Sequence, residues 1–225
     1  KDVIDALWHN NEKVFLLLTK SNILIVDLNS KTLISMGVDS TRKMPFKCFT
    51  TCTNEASVLL AYDEWGPKYI EKWHKNNDTQ SWILAGQLPL NLTLNEFIGS
   101  VLAFTDGSDS KIAMIIYNYL TGQWRMEIRH EDNLRCLMKI LLPESDFNND
   151  YKMIHIKNVD LDMKWLIYLP MKNGFVAMDS QWNQIEVNFK SPIMGMAKFN
   201  LNNLIVQTKQ YIHIHRFLGS FCNLR

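Results

Sequence analysis

The sequence predicts an all-β fold. Three observations carry that expectation. Apolar runs are short and rich in strand-forming residues, turn residues separate them every few positions, and one figure of paired strands returns along the chain. The clearest case is 101–128, VLAFTDGSDSKIAMIIYNYLTGQWRMEI. Here an apolar run at 101–104, a polar turn at 105–110, a second run at 112–117, a Thr-Gly turn and a third run at 124–128 follow one another. Strands joined by connections this short must be antiparallel neighbours.

Composition bounds the rest. The 225 residues suffice for one large domain or two small ones, and we read a single domain over 1–225. The chain starts at Lys1 without a Met and reads at once as folded material, so a piece of a longer protein is expected. Hydrophobic residues at 47% and charged residues at 21% fit a globular chain with a real core. Seven Trp, seven Tyr and eleven Phe favour strands. A net charge of +1 gives no global field toward nucleic acid or membrane. No apolar run approaches the roughly 20 residues a membrane helix needs, and no targeting segment is read, so no membrane association is expected. Cysteines stand at 48, 52, 136 and 222. Cys48 and Cys52 have C-x3-C spacing with no second pair at zinc-finger distance, which reads as reduced structural thiols and a nuclear or cytoplasmic location.

Taken in order, 1–9 suits a first strand or a short helix. Strands are expected at 14–19, 23–28 and 32–36, then at 46–52, 58–62, 68–73 and 82–85. A third unit begins with 92–98 and continues through the three runs above. A fourth holds 153–156, 165–169, 175–178 and 185–189, and a fifth holds 193–199, 204–207 and 211–217. Five hairpins line up: VFLLL/ILIVDL, VLLAY/KYIEKW, VLAF/IAMIIYN, WLIYL/FVAMDS and LIVQ/YIHIHR. The residues closing their second strands, Asp27, Trp73, Asn118, Asp179 and His215, fall 46, 45, 61 and 36 residues apart. A period near 40–45 with four strands per unit is that of a β-propeller blade. One thin sheet cannot bury both its faces, and stacking sheets around an axis does so. The first hairpin strands are almost wholly apolar, as strands covered on both faces should be.

In VDLNSKTL (26–33) and YNYLTGQW (117–124) a third-strand, turn, fourth-strand figure resembles that of WD-repeat propellers. The resemblance covers nearly the whole chain and implies about five four-stranded blades. The Gly-His and Trp-Asp dipeptides typical of that family are absent, so the side-chain network they support is carried to no position here. A divergent propeller, or one of the related kinds found in large assemblies and citron-type domains, is implied.

Two places break the pattern. The 61-residue interval contains 131–142, with apolar residues at Leu134, Leu137, Met138 and Leu141. That spacing suits a short amphipathic helix, with an extra strand as the alternative. The element either covers its own propeller or docks a partner. The fifth unit has three strands, which leaves the last blade incomplete. Its open edge invites pairing, and the missing strand is expected from residues before Lys1, from beyond Arg225, or from a partner subunit that donates it.

No catalytic or nucleotide-binding motif is found, and no cofactor or metal is expected. His213 and His215 share a strand face, with His155 on another strand, but ordinary strand histidines are commoner than metal ligands. Asp63 and Asp106 end what read as matching inner strands. Such a carboxylate pair is the machinery of glycosidases, whereas Asp at a turn more often caps the backbone. The segment 65–75 mixes aromatic and cationic residues: Trp65, Lys68, Tyr69, Lys72, Trp73 and Lys75, with Arg42 and Lys43 as an extension. It could hold single-stranded nucleic acid or anchor a protein partner. The function expected is a non-enzymatic protein–protein interaction platform in a multisubunit complex. The partner-facing residues would be Trp65, Lys68, Tyr69, Lys72, Trp73, Leu134, Leu137, Met138 and Leu141. Nucleic-acid binding and a hydrolase are the alternatives.

Overall fold

The computed structural model describes residues 2–9, 12–38, 44–54, 56–76, 78–144, 151–156, 163–170, 172–199 and 203–216. Arg42, Lys43, Cys222 and the segments 145–150 and 217–225 lie outside them. Nineteen strands and no helix occur among the described residues. They form five antiparallel sheets, four of four strands and one of three. The chain divides into two compact units, Lys1–Ser145 and Asp146–Arg225.

The first unit holds three sheets. Sheet one is β1 (Val3–His9), β2 (Val14–Thr19), β3 (Ile23–Asp27) and β4 (Thr32–Ser35). Sheet two is β5 (Phe46–Thr51), β6 (Ser57–Tyr62), β7 (Tyr69–Lys75) and β8 (Trp82–Pro89). Sheet three is β9 (Glu96–Asp106), β10 (Asp109–Asn118), β11 (Gln123–His130) and β12 (Cys136–Leu141). Every strand pairs with the next in sequence, so each sheet is a meander.

The apolar run of β6 shows why the sheets stack. All six residues are buried. Val58, Leu60 and Tyr62 face one core with Leu16, Leu18 and Ile23 of sheet one. Leu59 and Ala61, on the opposite face, join a second core with Ile112, Met114 and Ile116 of sheet three. Alternation at period two thus feeds two cores from one strand. Polar ties support the apolar ones: the Ala103 amide donates to Thr50 Oγ1 at 3.0 Å, and the Thr53 amide donates to the buried carboxylate of Glu131 at 2.9 Å.

The second unit holds β13 (Lys152–His155), β14 (Met163–Tyr168), β15 (Gly174–Asp179) and β16 (Gln184–Asn188) in one sheet. Its other sheet is β17 (Ile193–Phe199), β18 (Asn203–Thr208) and β19 (Ile212–Arg216). Leu166, Phe175 and Ala177 of the first meet Ile193, Leu204 and Val206 of the second in a common core.

Three expectations are corrected. Residues 131–142 form no helix. Leu134 takes a left-handed turn conformation (φ 53°), donating its amide to the His130 carbonyl at 3.0 Å, and β12 then pairs with β11 from Arg129↔Cys136 to Arg125↔Leu141. The helix-like spacing arose because β12 is a sheet edge whose solvated positions also carry apolar residues. Second, 92–98 and 101–104 are not two strands. Residues 96–98 and 101–104 belong to one strand, β9, with 92–95 in the connection before it; Ile115↔Ser100 is followed by Ile116↔Ile98, so Gly99 is an extra residue. Gly99 and Ser100 look like a turn in the sequence but mark a β-bulge. Third, the 61-residue interval holds no extra element among the described residues. With β9 whole, β12 is the regular fourth strand, and YNYLTGQW joins second and third strands. VDLNSKTL does join third and fourth, and 1–9 gives strand β1, not a helix.

Cys48, Cys52 and Cys136 are free thiols. Burial, with Glu131 adding to it, pushes the Cys52 thiol up to about 12, so it stays protonated and unreactive.

Candidate interaction surface

The stretch 65–75 does not form one continuous strip. On β7, Glu71 and Trp73 turn inward with Val58 and Leu60 opposite them. The Glu71 carboxylate accepts from Tyr62 Oη at 2.7 Å and from Trp73 Nε1 at 3.0 Å. Trp73 is therefore a core residue whose ring is closed to a base or a partner. Lys75 pairs with Glu12. Lys72 and Tyr69 are half-buried, and Lys68 is exposed.

Trp65 has a different setting. It stands in the β6–β7 connection, 44% exposed. Its ring lies 5.1 Å from that of Phe97 and 5.9 Å from that of Tyr119, centroid to centroid. Phe97 in turn contacts Tyr117 and Trp124 at 5.9 and 5.7 Å, and carries the Lys47 ammonium 5.0 Å over its face. Backbone hydrogen bonds stitch three connections together here. The Gly66 amide donates to the Glu96 carbonyl (2.6 Å), the Leu90 amide to the Lys68 carbonyl (2.7 Å) and the Tyr119 amide to the Asn95 carbonyl (2.8 Å). Gly66 is required on two counts. Its φ is +60°, and a Cβ there would stand 2.8 Å from Leu94 Cα. The result is a fixed cluster with Tyr119 66%, Leu120 72% and Leu94 78% exposed beside Trp65. The sequence carried a signal for it: two large apolar residues, Tyr119 and Leu120, in a four-residue turn.

On β12, Leu137 (42% exposed), Met138 (38%) and Leu141 (64%) face solvent, while Leu134 is buried in the core between sheets two and three. Beside β12 in the same sheet, β11 carries a chain of charges. Arg125, Glu127 and Arg129 alternate along β11 and so share one face. Arg125 Nε donates to Glu127 at 2.7 Å and its Nη1 to Glu96 at 2.6 Å. Arg129 grips the second Glu127 oxygen, with Nε at 2.9 Å, and its Nη1 donates to the Leu134 carbonyl at 2.7 Å. Burial alone would raise the Glu127 carboxyl, but the hydrogen bonds and charges of Arg125 and Arg129 hold it below the ordinary carboxylate range. The R-x-E-x-R pattern was legible in the sequence and passed over.

His213 and His215 share a face, their rings stacked 5.9 Å apart, with Phe189 against both. His155 rests instead on Trp165. Among the described residues no group of three His, Cys, Asp or Glu could hold a metal. Burial lowers the His215 pKa, His213 adds to the effect, and His215 Nε2 finds no hydrogen-bond partner among the described residues. A histidine held neutral in the fold binds fewer protons than in the unfolded chain, so its contribution is present at neutral pH and shrinks as pH falls through the ordinary histidine range. Thermal melts are expected to show a lower midpoint at pH 5.5 than at 7.5. His215→Gln should flatten that slope, and an unchanged slope would refute the assignment.

Asp63 and Asp106 do not occupy matching places. Asp63 follows a second strand, and Asp106 ends a first strand. Each is more than half exposed and has its own cation, Lys47 at 3.8 Å and Lys111 at 2.7 Å. No helix among the described residues is long and apolar enough to cross a membrane.

No family model matches the sequence, and no curated protein matches it. Solved structures do match. The WD40 domain of Toxoplasma gondii coronin superposes with a TM-score of 0.66 at 7% identity, over 100% of this chain and 58% of that one. The β-propeller domain of Myceliophteria thermophila Cps50 (Swd1) gives 0.58 at 10% identity, over 99% and 68%. The periplasmic gluconolactonase PpgL of Pseudomonas aeruginosa gives 0.59 at 10% identity, over 94% and 65%. This chain thus spans less than two thirds of the coronin chain. Identities this low speak to fold alone, and proteins of different activity share it. The chain has a divergent β-propeller fold like that of WD40 domains.

Proposed function

We propose that this chain is a non-enzymatic platform for protein–protein contact within a multisubunit assembly, in the nucleus or cytoplasm. The observation that carries the reading is the edge strand β12, which exposes Met138 on one face beside Ile128 and Leu141 on the other face beside Arg125 and its buried ion network, with Leu137 exposed at the bulge before them. Exposed apolar side chains on a rigid frame are what a partner's own apolar residues meet. The likeness to WD40 domains supports the same reading, and free buried thiols accord with a reducing compartment. A second contact is proposed at β19, which has no strand on its far side among the described residues. A partner strand added there would gain main-chain hydrogen bonds.

A photo-crosslinker at position 138 should capture a partner in fixed stoichiometry. Met138→Asp with Leu141→Asp should abolish capture while leaving the melting midpoint within about 2 °C, as surface substitutions do. Capture no stronger than from an exposed control position such as Lys31 would reject the reading. Asp63→Asn with Asp106→Asn should leave all binding unchanged.

A further inference from the structure

We infer that the Trp65–Leu94–Tyr119–Leu120 cluster is a docking site for a short, extended, uncharged segment of a partner protein that presents proline or aliphatic side chains. The inference rests on the platform reading but names a separate surface. Four features argue for it.

The first is exposure against burial cost. Large apolar residues in tight connections are expected to fold inward or be replaced by polar ones, yet four stand out of three neighbouring connections. With roughly 150–250 Å² on a large side chain, their exposures amount to roughly 500 Å². That lies within the range of the largest patch on an ordinary monomer. It falls short of the ~800 Å² per partner of a globular interface, so a short segment fits the area and a second folded copy does not.

The second feature is preorganisation. The three connections are tied by backbone bonds, and the Asn118 carboxamide oxygen accepts from the amides of Leu120 and Thr121 at 3.0 and 3.3 Å. Glu96 braces them from below, accepting from the Thr93 amide at 2.9 Å. A site already ordered loses little entropy on binding.

Charge is the third. The connections 90–95 and 119–122 contain no charged residue. In 63–68, Asp63 and Glu64 are offset by Lys68 and by Lys47, which is engaged with Asp63 and the Phe97 ring. A phosphate backbone or an anionic membrane would need several exposed cations together, and a strongly charged peptide would find no counter-charge.

Ring geometry is the fourth. Trp65 and Tyr119 stand nearly perpendicular, at 77°. Two rings so set make a corner with a flat wall on each side, the shape that accepts a proline ring or an aliphatic branch in extended recognition.

The test pans a displayed library of random dodecapeptides on the 225-residue protein. Neutral peptides rich in proline and aliphatic residues should be enriched. Their Kd should rise at least about tenfold with Trp65→Ser or Tyr119→Ser, and should not change with Lys68→Ala. Leu94→Asp, which leaves the rings in place, guards against a folding artefact and should also weaken binding. Three outcomes would overturn the inference: no enrichment, enrichment of charged peptides, or affinity indifferent to all three cluster substitutions. Concentration-dependent dimerisation lost in Trp65→Ser would reassign the patch to self-association and overturn it too. Crosslinking at position 138 bears on the platform reading alone, so the failure of either can be told apart.

Discussion

Glu127→Ala is expected to destabilise the first unit by about 3–5 kcal/mol, the cost of leaving buried cations uncompensated. Glu127 is fully buried and accepts from both Arg125 and Arg129. Without it, Arg129 keeps the Leu134 carbonyl but loses its carboxylate, and Arg125 keeps Glu96. Glu127→Gln preserves shape and one acceptor, so it should cost less than Ala but still measurably. Replacing Arg125, Glu127 and Arg129 together by apolar residues of similar volume should be far milder than the single change, because the network is expensive to break rather than strongly stabilising. Urea unfolding of the three variants measures the order. Below the ordinary carboxylate range the wild-type protein should lose the same contribution. Glu127 and Glu96 are both held low, so their stabilisation is present above the unfolded carboxylate value and disappears as pH falls through the folded one. That window lies below the His215 window, and the two should separate in a pH series.

Trp124→Ala should cost a similar amount, about 3–5 kcal/mol, as large aromatic truncations in cores do. Trp124 is completely buried, 4.8 Å from Tyr117 and 5.7 Å from Phe97 between ring centroids. Its loss should also reach the surface. Phe97 bridges Trp124 to Trp65, so a cavity under Phe97 loosens the wall that Trp65 leans on. Trp124→Phe, which keeps most of the volume, should recover more than half of the stability. If Trp124→Ala melts like the wild type, the packing account of sheet three is wrong.

The fold was largely written in the period-two apolar pattern. β6 and β14 were legible because they are covered on both faces, and burial on both faces leaves an unmistakable apolar run; β2 and β18 keep apolar runs although one face of each is more open, at Phe15 and Gln207. Sheet three was misnumbered for a physical reason. A bulge at Gly99 mimics a turn when only residue types are seen, since the hydrogen bonds that continue β9 past it are with β10. β12 deceived for the complementary reason: an edge strand with apolar residues on its solvent side lacks the alternation that marks a half-buried strand. The surface was less legible. Trp65 was singled out by its chemistry, but Trp73 looked equivalent and is core, because its face is set by the register Val58↔Trp73. Leu94 and Tyr119 could not be joined to Trp65 without knowing that Gly66 lets two connections touch.

The most direct measurement is native mass spectrometry of the protein purified under mild conditions from the cells that make it. The platform account predicts a complex of fixed stoichiometry heavier than the chain itself, released to the bare chain by Met138→Asp with Leu141→Asp. A bare monomer from the wild type, or a complex indifferent to that double substitution, would contradict it.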